Sequence, residues 1–531
     1  MIDTKALREK VLDLAIRGKL VEQDPNDEPA SVLLERIRAE KQQMVKEGKL
    51  KAKDIKNDTI IYKGDDNLHY EKFQDGTVKC IEDEIPFDVP EGWAWARLGA
   101  LAHYKKGPFG SSITKAMFVP ESKDAIKVYE QKNAINKNVT LGNYFITKEK
   151  YEELKGFEVF PGDIIVSCAG TIGETFVMPN SMRKGIINQA LMKISLYNSS
   201  IKDFYLIYFD CKLKALANEQ GYGMALKNIP PFDILKQYLV PLPPLPEQRR
   251  IIYKINIISK VLTVIDNHID KISIDISNIK SKILDLAIRG KLVPQDPSDE
   301  PASVLLERIR TEKEELIKQG KIKRDKKESV IFKGDDNSYY IRSSDNKSYD
   351  VPMLFNLPNG WEWTTFPTIS HIELGKTLDK AKNTGVFHPY IRSVNVQWGY
   401  VDLSDLKKMR FESKEIDRYT IKKDDLLICE GGDVGRCCIW DRTDSILYQN
   451  AIHRVRFYDS INCRFYMYLM MFFESKGILK RISNGVTIKH LTNTVLSSII
   501  IPLPPIAEQK RIVGAIETLF EKLDQIVNSI S

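Results

Sequence analysis

Residues 12–41 read LDLAIRGKLVEQDPNDEPASVLLERIRAEK, and residues 284–313 read LDLAIRGKLVPQDPSDEPASVLLERIRTEK. Only Glu22/Pro294, Asn26/Ser298 and Ala39/Thr311 differ, so 27 of 30 positions match. Three further markers repeat in the same order: YKGDDN at 62–67 against FKGDDN at 332–337, GWAW at 92–95 against GWEW at 360–363, and VPLPPLPEQRRI at 240–251 against IPLPPIAEQKRI at 501–512. The chain of 531 residues is therefore a tandem duplication, with a period too long for a solenoid. Between the markers, 93–240 and 361–501 have diverged heavily. Near-identity beside divergence predicts two copies of one docking surface and two domains that recognise different things.

The second decisive pattern is central. Ile251, Ile255, Ile258, Leu262, Ile265, Ile269, Ile272, Ile276, Ile279, Ile283 and Leu286 recur in alternating steps of four and three. That spacing predicts a coiled-coil seam of about five heptads, roughly 54 Å long. Ile512, Ile516, Leu519, Leu523, Ile526 and Ile530 repeat its first half, and Leu7, Val11 and Leu14 repeat its last part. A helix over 247–293 facing helices over 508–531 and 1–21 gives an antiparallel coiled coil with pseudo-twofold symmetry.

The expected fold class is mixed α/β (α+β): two globular domains separated by that coil. Five regions follow: 1–92, a helical half-coil with the first repeat; 93–240, the first variable domain; 241–360, the long helix with the second repeat; 361–501, the second variable domain; and 502–531, the closing helix. Pro29 and Pro301 open a helix over SVLLERIR in each copy, where a missing N–H costs nothing, and Gly48 and Gly320 stop it. The lysine-rich runs at 49–56 and 321–327 read either as solvated linker or as phosphate or partner contacts. DIIVS at 163–167 and DLLIC at 425–429 read as strands leading into glycine turns, and the W-x-W pairs as core anchors.

Composition narrows the class. Hydrophobic content of 43% and charged content of 28% suit a soluble globular chain, and no apolar run approaches a membrane span. Seven scattered cysteines without C-x-x-C spacing point to a reduced, cytoplasmic protein without a zinc site. Of the net charge of +7, the variable domains hold the excess, with 19 basic against 13 acidic residues in 93–240 and 20 against 16 in 361–501. A polyanion partner is consistent with that footprint.

Catalytic motifs fail on inspection. Gly375-Lys376-Thr377 lacks the earlier glycine of a phosphate loop, since position 370 is Ser370, and its counterpart begins Gly107-Pro108-Phe109. NIPPF at 228–232 carries an extra isoleucine relative to the amino-methyltransferase turn. The histidines form no metal-ligand pair, and no G-x-S-x-G elbow is present. No catalytic residue, metal or cofactor is expected.

What recurs in both variable domains is polar and glycine-framed. GTIG at 170–173 matches GDVG at 432–435, INQA at 187–190 matches YQNA at 448–451 with Gln189 set against Gln449, and GMALK at 223–227 matches GVTIK at 485–489. Asn188, Gln189, Gln449 and Asn450 carry amides suited to an adenine edge, and Lys227 and Lys489 suit phosphates. Capping of turns by the amides and solvation of the lysines is the competing reading. Lys105, Lys106, Ser111, Ser112 and Thr171 in the first domain, with Lys376, Thr377, Arg392 and Arg436 in the second, complete the set expected at DNA.

With these residues in view, the chain resembles a specificity subunit of type I restriction–modification systems. The duplicated LAIRGKLV-x-QDP-x-DEPASVLLERIR block and the paired PLPP-x-x-EQ-[RK]-R-I blocks, alternating with two variable regions, carry the resemblance over essentially the whole length. It implies a non-catalytic subunit whose two target-recognition domains each read half of a split, asymmetric sequence in double-stranded DNA. It further implies a coil that sets the gap between half-sites. It implies, too, that two modification subunits dock and methylate adenine N6 with S-adenosylmethionine, and that restriction subunits join them. The expected partner contacts are Pro243, Pro244, Glu247 and Gln248, with Pro504, Pro505, Glu508 and Gln509.

Overall fold

The computed structural model describes residues 3–168, 171–219, 229–322, 324, 330–342, 347–379, 381, 383–483 and 490–530, with backbone only at Lys53, Asp54 and 213–219. It divides between Asn267 and His268 into two units. The central seam forms one continuous helix, Leu245–Ile288, which contributes its first part to one unit and its second part to the other.

In the first unit the N-terminal helix Thr4–Ile16 runs antiparallel to the start of the central helix. Thr4 Oγ1 donates to Asp266 at 2.6 Å, whereas Gln23 reaches Glu247 at 3.0 Å. Arg8 ties the pair midway, reaching Asp266 at 2.8 Å and Ser259 Oγ at 3.1 Å. In the second unit the C-terminal helix Ile506–Ile530 repeats this arrangement. Lys280 pairs with Asp524, and Arg511 with Asp299 at 2.6 Å. The antiparallel coil predicted from periodicity is thus present in halves.

Two details differ from the pattern. The helices stop short of Val21 and Val293, because Gly18 and Gly290 turn the chain at φ +66° and +65°. A Cβ on either would lie 2.4 Å from Pro90 or Pro358, so only glycine lets the turn close onto the domain entrance. Ile279 faces solvent. At that level Lys280 lays its stem inward instead, with Nζ 5.0 Å from the Phe520 ring centroid.

Each repeat then builds the same parts. Helices Ala30–Lys46 and Ala302–Lys318 start after Pro29 and Pro301, and bury Ala30, Leu33 and Ile37, or Ala302, Leu305 and Ile309. Their first N–H groups donate to the Gly92 and Gly360 carbonyls, both at 2.8 Å. The KGDDN markers are tight hairpin turns with Asn67 and Asn337 left-handed at φ 65° and 66°. They join the first two strands of the meanders Ile60–Lys63, His69–Lys72, Val78–Cys80 and Val330–Lys333, Tyr339–Arg342, Ser348–Asp350.

The diverged domains share one topology. In the first, an antiparallel sheet runs in the order Thr175–Val177, Ile164–Ser167, Leu191–Leu196, Ala102–Lys106. In the second the order is Cys437–Ile439, Leu426–Cys429, Ile452–Phe457, Ser370–Leu374. A smaller mixed sheet follows in each, with one parallel pairing: Ile126–Tyr129 with Gly185–Ile187, and Val386–Ile391 with Ile446–Tyr448. Ile164–Ser167 and Leu426–Cys429 are buried along their whole length, hence their unbroken apolar runs. A ribbon closes each domain: Ala94–Arg97 against Leu239–Leu242, and Glu362–Thr365 against Ile500–Leu503. Trp93 packs edge-on to Phe204 at 6.2 Å and Trp361 to Phe465 at 6.1 Å, as core anchors do.

Candidate nucleic-acid interface

At one end of the main sheet of the first unit, three segments meet. The strand Ala102–Lys106 passes into Gly107, whose N–H donates to Leu191 O at 2.9 Å. Gly107 lies so close to Asn188 that a Cβ would come 1.8 Å from its carbonyl oxygen. The glycine turn joins through Cys168 N–H, which donates to Ala190 O at 2.8 Å. Gly173 closes that turn onto Ser167 O at 2.9 Å with φ +86°. The sequence-predicted residues Lys105, Lys106, Ser111, Ser112, Thr171, Asn188 and Gln189 therefore come from segments that converge.

Their side chains divide by role. Asn188 Oδ1 accepts the Ala190 N–H at 3.0 Å and caps its own turn. Gln189 is exposed, and its amide has no hydrogen-bond partner among the described residues. Lys106 is exposed and unpaired among the described residues, whereas Lys105 lies 5.0 Å from the Phe157 ring centroid. Ser111 and Thr171 are exposed and Ser112 half-buried. Lys227 and Lys489, with the matched segments 223–227 and 485–489, lie outside the described residues.

The second unit repeats the frame with other contents. Gly375 N–H donates to Ile452 O at 3.0 Å, a Cβ there would lie 2.3 Å from the Gln449 carbonyl, and Gly435 closes its turn onto Cys429 O at 2.9 Å. The shared hydrogen bonds fix the alignment. Asn188 N–H donates to Tyr129 O and Gln449 N–H to Ile391 O, while Ala190 O and Ala451 O accept from Cys168 and Glu430. Gln189 consequently corresponds to Asn450, not to Gln449 as expected. Gln449 takes the place of Asn188, with its Oε1 buried and unpartnered among the described residues. Asn450 Oδ1 binds the Ala451 N–H, and its Nδ2 lies 3.5 Å from Thr377 Oγ1.

Three of the residues expected at DNA in the second domain are engaged within their own unit. Lys376 is buried on Glu415, and that hydrogen bond holds the Glu415 carboxyl below its usual range. Arg392 is held by Asp405 at 2.8 Å, and Arg436 by Asp433 at 2.8 Å and Ser393 O at 3.0 Å. Both guanidiniums brace loops. Thr377 is exposed and available.

Sequence reasoning missed two features. Buried Asn133 and Asn395 hold equivalent loops: each Oδ1 accepts the N–H of Glu130 or Arg392, and each amide donates to two carbonyls, of Asn138 and Leu141 or of Asp402 and Asp405. The only signal was an asparagine four residues beyond a strand end, lost in diverged surroundings. The other is Phe109, exposed beside Gln189's segment.

The paired PLPP-x-x-EQ blocks are packed inside their units. Pro243, Pro244, Glu247, Gln248, Pro504, Pro505, Glu508 and Gln509 are all buried within their own units. Gln248 Nε2 donates to Pro243 O at 2.9 Å and Gln509 Nε2 to Pro504 O at 2.8 Å. Glu247 accepts from the Trp93 indole and from Gln23, both at 3.0 Å, and Glu508 accepts from Trp361 at 2.9 Å. Arg250 pairs with Asp27 and Arg511 with Asp299, both at 2.6 Å. The duplicated markers bind one another, joining helix, collar and domain within each unit.

Two domains of one topology, with unlike polar tips on the same glycine frame, define a protein that recognises two different things by one architecture. The sequence profile of the type I restriction modification DNA specificity domain matches residues 90–273 and again 358–530, and the chain belongs to that family. Among similar proteins, the type I restriction enzyme EcoAI specificity subunit of Escherichia coli is 27% identical, over 98% of this chain and 90% of that one. The MjaVIII specificity subunit of Methanocaldococcus jannaschii is 22% identical, over 81% and 87%. A solved HsdS subunit from Thermoanaerobacter tengcongensis aligns at 14% identity over 84% of this chain and 93% of its own, with a TM-score of 0.37.

Proposed function

We propose that this chain is the non-catalytic DNA-recognition subunit of a type I restriction–modification complex. Each variable domain reads one half of a bipartite, asymmetric target in double-stranded DNA. The observation that carries this reading is the shared topology with unlike tips: Gln189, Lys106 and Phe109 stand on one frame, Asn450 and Thr377 on the other. One architecture approaches DNA in the same way twice, and different side chains meet different base edges. The continuous helix Leu245–Ile288 sets the spacing between half-sites.

Catalysis is borrowed. Two modification subunits carry S-adenosylmethionine and methylate adenine N6, and restriction subunits join through them. The docking face we assign lies on the central helix, since the PLPP-x-x-EQ blocks are internal. Tyr253, Ile257, Val261 and Val264 are exposed at steps of four, four and three, and Tyr253 keeps 69% of its accessibility. An apolar stripe at that spacing, on a helix already paired on its other side, suits a further helix from a partner. No helix among the described residues is long and apolar enough to cross a membrane; the complex belongs in the cytoplasm, with the DNA.

Mapping N6-methyladenine genome-wide, with and without this gene, tests the reading. A split asymmetric motif should vanish on deletion, and an unchanged map overturns it. Binding to duplex DNA should also weaken steeply with salt.

A further inference from the structure

Phe109 is the most exposed large apolar side chain among the described residues, at 86% of its full accessibility. Its loop is braced at both ends. Gly107 is pressed onto the Asn188 carbonyl, Pro108 and Ile113 are buried, and Ser112 N–H closes the turn onto Phe109 O at 2.8 Å. Folding therefore holds an aromatic ring out in water. Its loop packs on the segment that carries Gln189, whose exposed amide is unpartnered among the described residues, and lies next to the unpaired cation of Lys106.

The chemistry of the neighbours narrows what the ring meets. The major-groove floor consists of donors and acceptors, apart from the C5-methyl of thymine. An amide that pairs with adenine always has such a methyl in the same base pair. We propose that Phe109 is a specificity-determining residue of the first domain, packing its ring on the thymine methyl of the base pair contacted by Gln189. This deepens the DNA-recognition reading above and rests on it. Gly375 corresponds to Gly107, so Thr377 stands where Phe109 does, and the contact belongs to the first half-site alone.

The test uses the complete complex with its modification subunits, and duplexes in which each thymine of the target is replaced singly by uracil, which lacks only the methyl. One replacement in the first half-site should weaken binding about fourfold, the worth of one buried methyl. Phe109→Ala should bind more weakly and lose the distinction between thymine and uracil at that position; Phe109→Leu should keep part of it. Uracil in the second half-site should affect parent and variants alike. A parent indifferent to every replacement in the first half-site overturns the proposal, as does an Ala variant that keeps the parent's thymine-to-uracil ratio. Gln189→Ala separates the two levels. If neither it nor Phe109→Ala alters binding or the methylated motif, the interface itself is misplaced. If Gln189→Ala changes the motif while the uracil scan stays flat, only the Phe109 contact fails.

Discussion

The indole N–H of Trp93 donates to Glu247 Oε2 at 3.0 Å, joining residues 154 positions apart. Trp361 and Glu508 make the same bond at 2.9 Å. Each bond pins the entrance strand of a recognition domain to the first turn of a coil helix. Trp93→Phe keeps a ring in the core but strips a buried carboxylate of a donor. It should lower the unfolding free energy by about 1–3 kcal/mol, and Trp361→Phe likewise in its own unit. Denaturant unfolding checks this; unshifted midpoints would remove the joint from the list of stabilising contacts.

The same carboxylates give a pH dependence. Burial pushes both the Glu247 and Glu508 carboxyls above the ordinary 4.5, against the pull of their hydrogen-bond donors. A raised folded-state value means that the fold prefers the protonated form. This contribution is fully present below 4.5 and is lost as pH rises through the folded-state value. Relative to the parent, Glu247→Gln with Glu508→Gln should therefore gain melting temperature as pH climbs above the ordinary glutamate range, then level off. A difference independent of pH would contradict the sign.

Recognition should be separable by domain. Gln189→Ala should change base preference in one half-site, a lost amide pair relaxing discrimination by about 1–3 kcal/mol, and Asn450→Ala should change it in the other. Methylation motifs recovered from cells carrying each variant decide it. Changes in both half-sites from one substitution would argue against independent readers.

The central helix should act as a ruler. One heptad inserted after Asn267 adds about 10.5 Å of helix, close to three base pairs. The recovered motif should keep both half-sites and lengthen the gap between them. An unaltered gap would place the ruler elsewhere.

Partner docking is predicted on the exposed stripe. Ile257→Glu with Val261→Glu puts two charges where a partner helix would bury apolar surface, and should abolish co-purification of the modification subunits. Unfolding midpoints should barely move, because neither residue is buried in this chain. Undiminished co-purification would clear this face of the role.

Much of the architecture was legible before any coordinates. The coil followed from eleven apolar residues at heptad spacing, and the two unlike domains from duplication that spares only the markers. The site was legible as a set of segments but not residue by residue. Asn188, Gln189, Gln449 and Asn450 look interchangeable in sequence, and a one-residue register error put Gln189 opposite Gln449. The Tyr129 and Ile391 carbonyls, which accept from Asn188 and Gln449, correct it. Lys376 looked like a free cation because Glu415 is 39 residues away.

Helices, repeats and tight turns are written locally, because periodicity and turn chemistry act between near neighbours along the chain. Burial is not local. Whether the PLPP-x-x-EQ markers faced a partner or the interior depended on Trp93, Gln23, Trp361 and Asp299 arriving from distant segments, and folding put them inside. The same distant packing left Phe109 and the Tyr253 stripe in water, where a partner can reach them.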